Sequence, residues 1–127
     1  MKEVSLTNEL LLEFLDNLRL QDKIEFNEVL KTCSLEEFIN VCFDDKQLTY
    51  FLTTDDGKPL ALGGAYRISA DVAKIWLLTT NEISNYKFAV YKYVKNKIEQ
   101  FKKVFAVLYN FIFKSNFSSL IWLRNCQ

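Results

Sequence analysis

The chain has 127 residues, half of them hydrophobic and a quarter charged, with sixteen Lys and Arg against sixteen Asp and Glu. That length fits one domain spanning 1–127, and the composition excludes a disordered segment, which cannot bury enough apolar surface to offset chain entropy. No run approaches the ~20 uninterrupted apolar residues of a membrane-spanning helix, and Cys33, Cys42 and Cys126 lack the spacing of metal ligands.

The first third reads as helical. Thr7 is placed to cap a helix whose Leu10, Leu11, Phe14, Leu15 and Leu18 recur at three and four residues. A second helical piece is expected from about Asp22 to Leu30, burying Ile24, Phe26 or Val29, and Leu30. A third opens at Ser34, with Glu37 three residues on as the partner of a capping box, and turns Leu35, Phe38, Ile39 and Cys42 inward.

The period then changes to two. Leu48, Tyr50 and Leu52 alternate with Thr49, Phe51 and Thr53, and Asp56-Gly57 supplies the positive φ that a tight hairpin requires. The returning strand, Leu60 to Ile68, is expected to carry Leu60, Leu62, Tyr66 and Ile68 on one face, with Gly63-Gly64 marking a bulge or a close backbone approach. Lys74 to Thr79 reads as a strand buried on both faces. A helix from Asn81–Asn85 to about Lys103 follows, burying Val90, Val94, Ile98 and Phe101 with Phe88 and Tyr91 beside them. Val104 to Phe113 is apolar enough for an interior strand. A strand, a helix and another interior strand form a crossover, so this pair is expected to be parallel. Asn116 is placed to cap a final helix.

Charge divides along the chain. Residues 1–73 hold seven Lys and Arg against fourteen Asp and Glu, and residues 74–127 hold nine against two. The basic half could receive an anion. However, the lysines from Lys87 to Lys103 scatter around their helix and the net charge is zero, which argues against nucleic acid as the partner.

The order three antiparallel strands, helix, strand, helix resembles the core of the Gcn5-related N-acetyltransferase (GNAT) fold. Within that superfamily the chain is similar to GNAT-like proteins of tailed phages and prophages, a group that includes internal virion proteins. The resemblance is carried by Leu18-Arg19-x-x-Asp22-x-x-Glu25, by Gly57-Lys58-Pro59-Leu60-Ala61-Leu62-Gly63-Gly64, and by Trp76-Leu77-Leu78-Thr79-Thr80. Leu108-x-Asn110 followed by Asn116-x-x-Ser119-x-x-Trp122-Leu123 completes it, so the matches span about residues 18 to 123.

The resemblance implies an α+β, acyl-CoA N-acyltransferase-like fold with N-terminal helices, an antiparallel meander, a crossover helix, a parallel strand and a C-terminal helix. It also implies acetyl-CoA as cofactor and an amine as substrate. Backbone groups at Leu77, Leu78 and Thr79 would hold the pantetheine arm. The helix start from Thr80 to Asn85 would take the pyrophosphate, and Asn116 would lie at the cofactor's far end. Asp22 or Glu25 would be the general base, since the chain has no histidine.

Several residues depart from the acetyltransferase pattern. The stretch Thr79-Thr80-Asn81-Glu82-Ile83-Ser84-Asn85 has neither the glycines nor the arginine of the usual phosphate loop, and Glu82 would repel a pyrophosphate. Leu123 stands where the tyrosine that protonates the departing thiolate is usual. The chain ends where the family adds a closing strand, which would leave the edge beside Val104–Phe113 open to pairing as a homodimer. The alternative expectation is therefore a non-catalytic GNAT-fold structural or accessory protein, cytoplasmic or virion-associated, with no membrane partner.

Overall fold

In the computed structural model the described residues are 1–44 and 48–109. They form an α+β arrangement in which a mixed sheet of five strands lies between two helical layers. The strands are β1 (Lys2–Val4), β2 (Thr49–Thr53), β3 (Pro59–Arg67), β4 (Val72–Thr79) and β5 (Val107–Tyr109), in the spatial order β1-β2-β3-β4-β5. The first four are antiparallel neighbours. The β4–β5 pair is parallel, as the crossover requires, with Val72 opposite Val107 and Lys74 opposite Tyr109. β1 is an addition to the expected meander: three residues are too few to show a period of two.

The helices are α1 (Asn8–Asp16), α2 (Leu20–Val29), α3 (Leu35–Asp44) and α4 (Lys87–Lys102). The caps expected at Thr7 and at Ser34–Glu37 are present. Thr7 accepts from the Leu10 amide at 3.2 Å. At α3 the Ser34 hydroxyl accepts from the Glu37 amide at 3.1 Å, and the Glu37 carboxylate accepts from the Ser34 amide at 3.3 Å. Each satisfies an orphan donor of a helix start. The hairpin turn also forms as read, with Gly57 at φ +88°.

Alternation along the strands supplies two cores. On one face Leu48, Tyr50, Leu52, Ala61, Ala65 and Ile75 pack under Val90, Val94, Ile98 and Phe101 of α4. On the other, Phe51, Leu62 and Leu78 pack under Leu11 and Phe14 of α1, Phe26 of α2, and Phe38 and Cys42 of α3. Edge-to-face ring pairs join this second layer, including Phe14 on Phe51 at 5.7 Å and Phe26 on Phe38 at 4.9 Å between centroids.

Four expectations are corrected. Leu60 and Leu62 lie in opposite cores, because Leu52 pairs with Ala61 while Thr53 pairs with Pro59, leaving Leu60 as a bulged extra residue. Tyr66 and Ile68, placed with them by alternation, are about half exposed. The helix expected from Asn81–Asn85 onward is two elements, a 3₁₀ turn at Asn81–Asn85 and then α4, with Tyr86 between them. Phe88 consequently falls on the outer side of α4, 69% exposed. In α2 the buried residues are Asp22 and Phe26, while Ile24 and Val29 face outward. Finally, the strand expected from Val104 begins at Val107. Residues 110–113 of that strand and the helix expected at Asn116 lie outside the described residues.

Gly63-Gly64 marks a close approach, and the bulge sits three residues earlier. A Cβ on Gly64 would stand 2.2 Å from the Leu48 carbonyl oxygen, and one on Gly63 would stand 2.6 Å from the Tyr50 hydroxyl. Backbone cannot yield as a flexible side chain can, so Gly64→Ala is expected to cost about 2 kcal/mol or more, read as a lowered urea midpoint at unchanged m-value. The Cys42 thiol, buried in the α1–α3 core, is pushed from 9.0 up to about 12 by burial. The fold thus favours the protonated thiol, and this contribution is present below pH 9.0 and lost as pH rises toward about 12. Mass-mapped alkylation in native buffer is expected to modify the half-buried Cys33 and to spare Cys42 until denaturant is added.

Candidate functional site

Three of the residues singled out by the sequence, Asp22, Thr79 and Thr80, meet at the C-terminal end of β4. After α1, the chain runs along this end of the sheet. Leu18 forms a bridge with Thr80, and the Arg19 amide donates to the Thr79 carbonyl at 2.9 Å. One turn into α2, Asp22 projects back at the same strand. Its Oδ2 accepts from the Thr79 amide at 3.0 Å and from the Thr79 hydroxyl at 2.7 Å, and its Oδ1 accepts from Arg19 Nη2 at 3.3 Å. Asp22 is 1% exposed. A carboxylate so deep is tolerated because charge and hydrogen bonds compensate its lost hydration.

Strand geometry explains why this amide was available. In an antiparallel ladder alternate residues turn both backbone groups toward the same neighbour. The Thr80 amide donates to Leu60 on β3, so Thr79 and Leu77 turn theirs the other way, toward the side occupied by β5. Among the described residues β5 pairs with β4 only over Val72–Lys74. Further along, Thr79 meets the chain's own Arg19 and Asp22.

The remaining candidates are distributed as follows. Leu77 is half-buried against the α4 core and Leu78 is buried in the opposite one. The Thr80 hydroxyl donates to the Pro59 carbonyl at 2.9 Å and accepts from the Glu82 amide at 3.3 Å, capping the 3₁₀ turn. Asn85 ends that turn and is exposed. Glu25 is half-buried on α2, one turn beyond Asp22. Asn116 lies outside the described residues. The structure therefore brings Asp22, Thr79 and Thr80 together and leaves Asn85 apart. Arg19, named in the sequence only as part of the Leu18-Arg19-x-x-Asp22-x-x-Glu25 motif and given no role there, joins them through both its amide and its guanidinium.

Between α4 and the sheet, Ile75, Trp76, Leu77 and Tyr50 border a gap of about 10 Å³, room for about one water. A larger cleft of about 280 Å³ lies at the opposite side of the sheet, where the chain leaves β1 and exposes the edge of β2 at Thr49 and Tyr50 above Cys42 and Phe43. Among the described residues no group of three or more His, Cys, Asp or Glu could hold a metal ion, and no helix is long and apolar enough to cross a membrane.

A second polar cluster, partly exposed, lies between β1 and α4. Lys97 approaches Glu3 at 3.7 Å and stands over the Tyr93 and Tyr50 rings at 5.6 and 5.8 Å. Burial first, and then the neighbouring Glu3 carboxylate, push the Tyr93 phenol upward. These contacts fasten the short β1 strand to the helix that covers it.

No family model, no curated protein and no solved structure matches the chain. Chemical assignment therefore rests on the geometry at Thr79. A general base needs a lone pair directed at substrate, whereas both oxygens of Asp22 accept donors from within the fold. Asp22→Ala would remove the acceptor of the buried Thr79 amide and hydroxyl and one partner of the Arg19 guanidinium, and is expected to cost about 3 kcal/mol. Asp22→Asn, which keeps an acceptor, should cost less. Urea unfolding of the two variants checks this; a loss below about 1 kcal/mol for Asp22→Ala would mean that the clasp is dispensable.

Proposed function

We propose that the protein is a non-catalytic GNAT-like structural or accessory protein of the phage or prophage type, one that keeps the scaffold of an acetyltransferase without its cofactor chemistry. The observation that carries this reading is the pairing of Thr79. In the resemblance to acetyltransferases, the β4 backbone around Thr79 is the group that would hold the pantetheine arm and polarise the thioester carbonyl. Here the Thr79 amide donates to Asp22 and its carbonyl accepts from Arg19. A cofactor would have to displace a buried charged group from three hydrogen bonds, so binding would begin with a penalty.

The phosphate end supports the same reading. A short 3₁₀ turn with Glu82 in its first turn follows Thr80, and it presents a carboxylate to any incoming phosphate. The first turn of α4 holds no acidic residue, but its cap residue Tyr86 makes no side-chain cap and the segment has no glycine to let amides curl around an anion. The alternative reading, an acetyl-CoA-dependent N-acetyltransferase acting on an amine through Asp22 or Glu25, rests on the order of elements and the motif resemblance. It would require the Leu18–Asp22 segment to leave the strand.

Isothermal titration of acetyl-CoA and of CoA into the protein separates the two. No heat of binding is expected up to millimolar ligand. Micromolar binding of acetyl-CoA by the wild-type protein would overturn the proposal and restore the enzyme reading.

A further inference from the structure

The sheet separates two surfaces of opposite charge. Between Ser5 and Asp44, the segment that builds the α1–α3 layer, there are nine Asp and Glu against three Lys and Arg. Across the sheet, α4 and the residue that follows it carry six lysines, Lys87, Lys92, Lys95, Lys97, Lys102 and Lys103, against Glu99. The chain's charge asymmetry thus becomes a spatial one, because the two layers pack on opposite faces of one sheet.

Each surface has the same internal plan. On α1, Glu9, Leu12, Glu13 and Asp16 share the outward side at intervals of three and four residues, and Leu12 is 50% exposed at its centre. On α4, Phe88, Lys92 and Lys95 share the outward side in the same way, with Lys92 Nζ 4.5 Å from the centroid of the exposed Phe88 ring. Among the described residues no ion pair engages Glu9, Glu13, Asp16, Lys92 or Lys95. An apolar centre inside a charged rim is the make-up of a protein interface, and the two rims are complementary in sign.

We infer that the α4 surface around Phe88, Lys92 and Lys95 docks on the α1 surface around Glu9, Leu12, Glu13 and Asp16 of a second copy of this chain. The contact joins two different surfaces, so it is heterologous, and each added copy presents a fresh surface at both ends. Zero net charge removes the long-range repulsion between copies that would oppose it. This inference is independent of the cofactor question, since an acetyl-CoA-binding protein would carry the same two surfaces.

Sedimentation velocity of the full chain tests it. At about 50 mM salt the mean size is expected to rise with protein concentration, and at about 500 mM salt, where screening is far stronger, association should weaken tenfold or more. Lys92→Glu with Lys95→Glu should abolish growth by making both surfaces acidic, and Glu9→Lys with Glu13→Lys should abolish it by making both basic. Mixing the two variants should restore growth, because the acidic surfaces of one then meet the basic surfaces of the other. All four substituted positions are exposed, so circular dichroism should show both variants folded. A monomer at every concentration in low salt would overturn the inference. So would self-association indifferent to salt and to both variants, as strand-edge pairing would give, or a mixture that does not grow while the wild-type α4 surface captures a polyanion such as heparin.

Discussion

A carboxylate buried to 1% exposure must be surrounded by donors, and Asp22 finds them on the strand it closes off. That requirement fixes more than one side chain. For Asp22 to reach the Thr79 amide, α2 must begin close to the end of β4. The Leu18–Arg19 link must then lie along the strand, where it adds the Leu18–Thr80 bridge and the Arg19-to-Thr79 hydrogen bond. α1 and α2 are thereby tied to the sheet at the point where they meet, and the Phe14, Phe26 and Phe38 rings pack down from that anchor. Apolar packing supplies most of the layer's stability, but it is non-directional. The clasp gives the layer its position along the strand.

The opposite layer is positioned by contact between backbones and rings. Gly64 lets β3 approach the Leu48–Thr49 backbone and Gly63 leaves room for the Tyr50 ring, and Tyr50 then meets Tyr93 of α4 at 5.3 Å between centroids. The bulge at Leu60 serves both layers. It lets β3 place Leu60 and Ala61 under α4 and Leu62 under the other helices, so that neither core loses a large residue at the hairpin end.

Features set by local chemistry were legible in the sequence. The Ser34–Glu37 capping box, the Asp56-Gly57 turn and the Val90, Val94, Ile98 and Phe101 stripe each depend on residues within one or two turns of one another. The parallel β4–β5 pair followed from connection length. What escaped depends on distant partners. Lys2–Val4 becomes a strand because β2 offers an edge and Lys97 pairs with Glu3, and neither is visible in three residues. The Leu60 bulge arises from unequal spans of β2 and β3. Asp22 entered the sequence reading as a candidate general base, with Arg19 three residues before it. The ion pair is present, but the Thr79 amide, 57 residues away, turns it into an internal anchor. The helix break at Tyr86 was missed because Asn81–Asn85 was read as the start of one helix, although Asn, Ile, Ser and Tyr are weak helix formers that suit a short turn before it.

Asp22 also shows why one motif can be read in two ways. A catalytic carboxylate and an anchoring carboxylate make the same demand on sequence: an acid placed one turn into a helix beside the β4 edge. They differ in where the lone pairs end. A base must keep one directed at solvent or substrate and must change protonation during turnover, whereas an anchor is strongest when every oxygen is engaged and the charge never changes. Asp22 has Thr79 on one oxygen and Arg19 on the other, and these bonds hold α2 to the sheet. The geometry therefore sets the two roles against each other and favours the anchor. The same sheet also keeps an acidic helical layer and a basic helix apart on one neutral molecule.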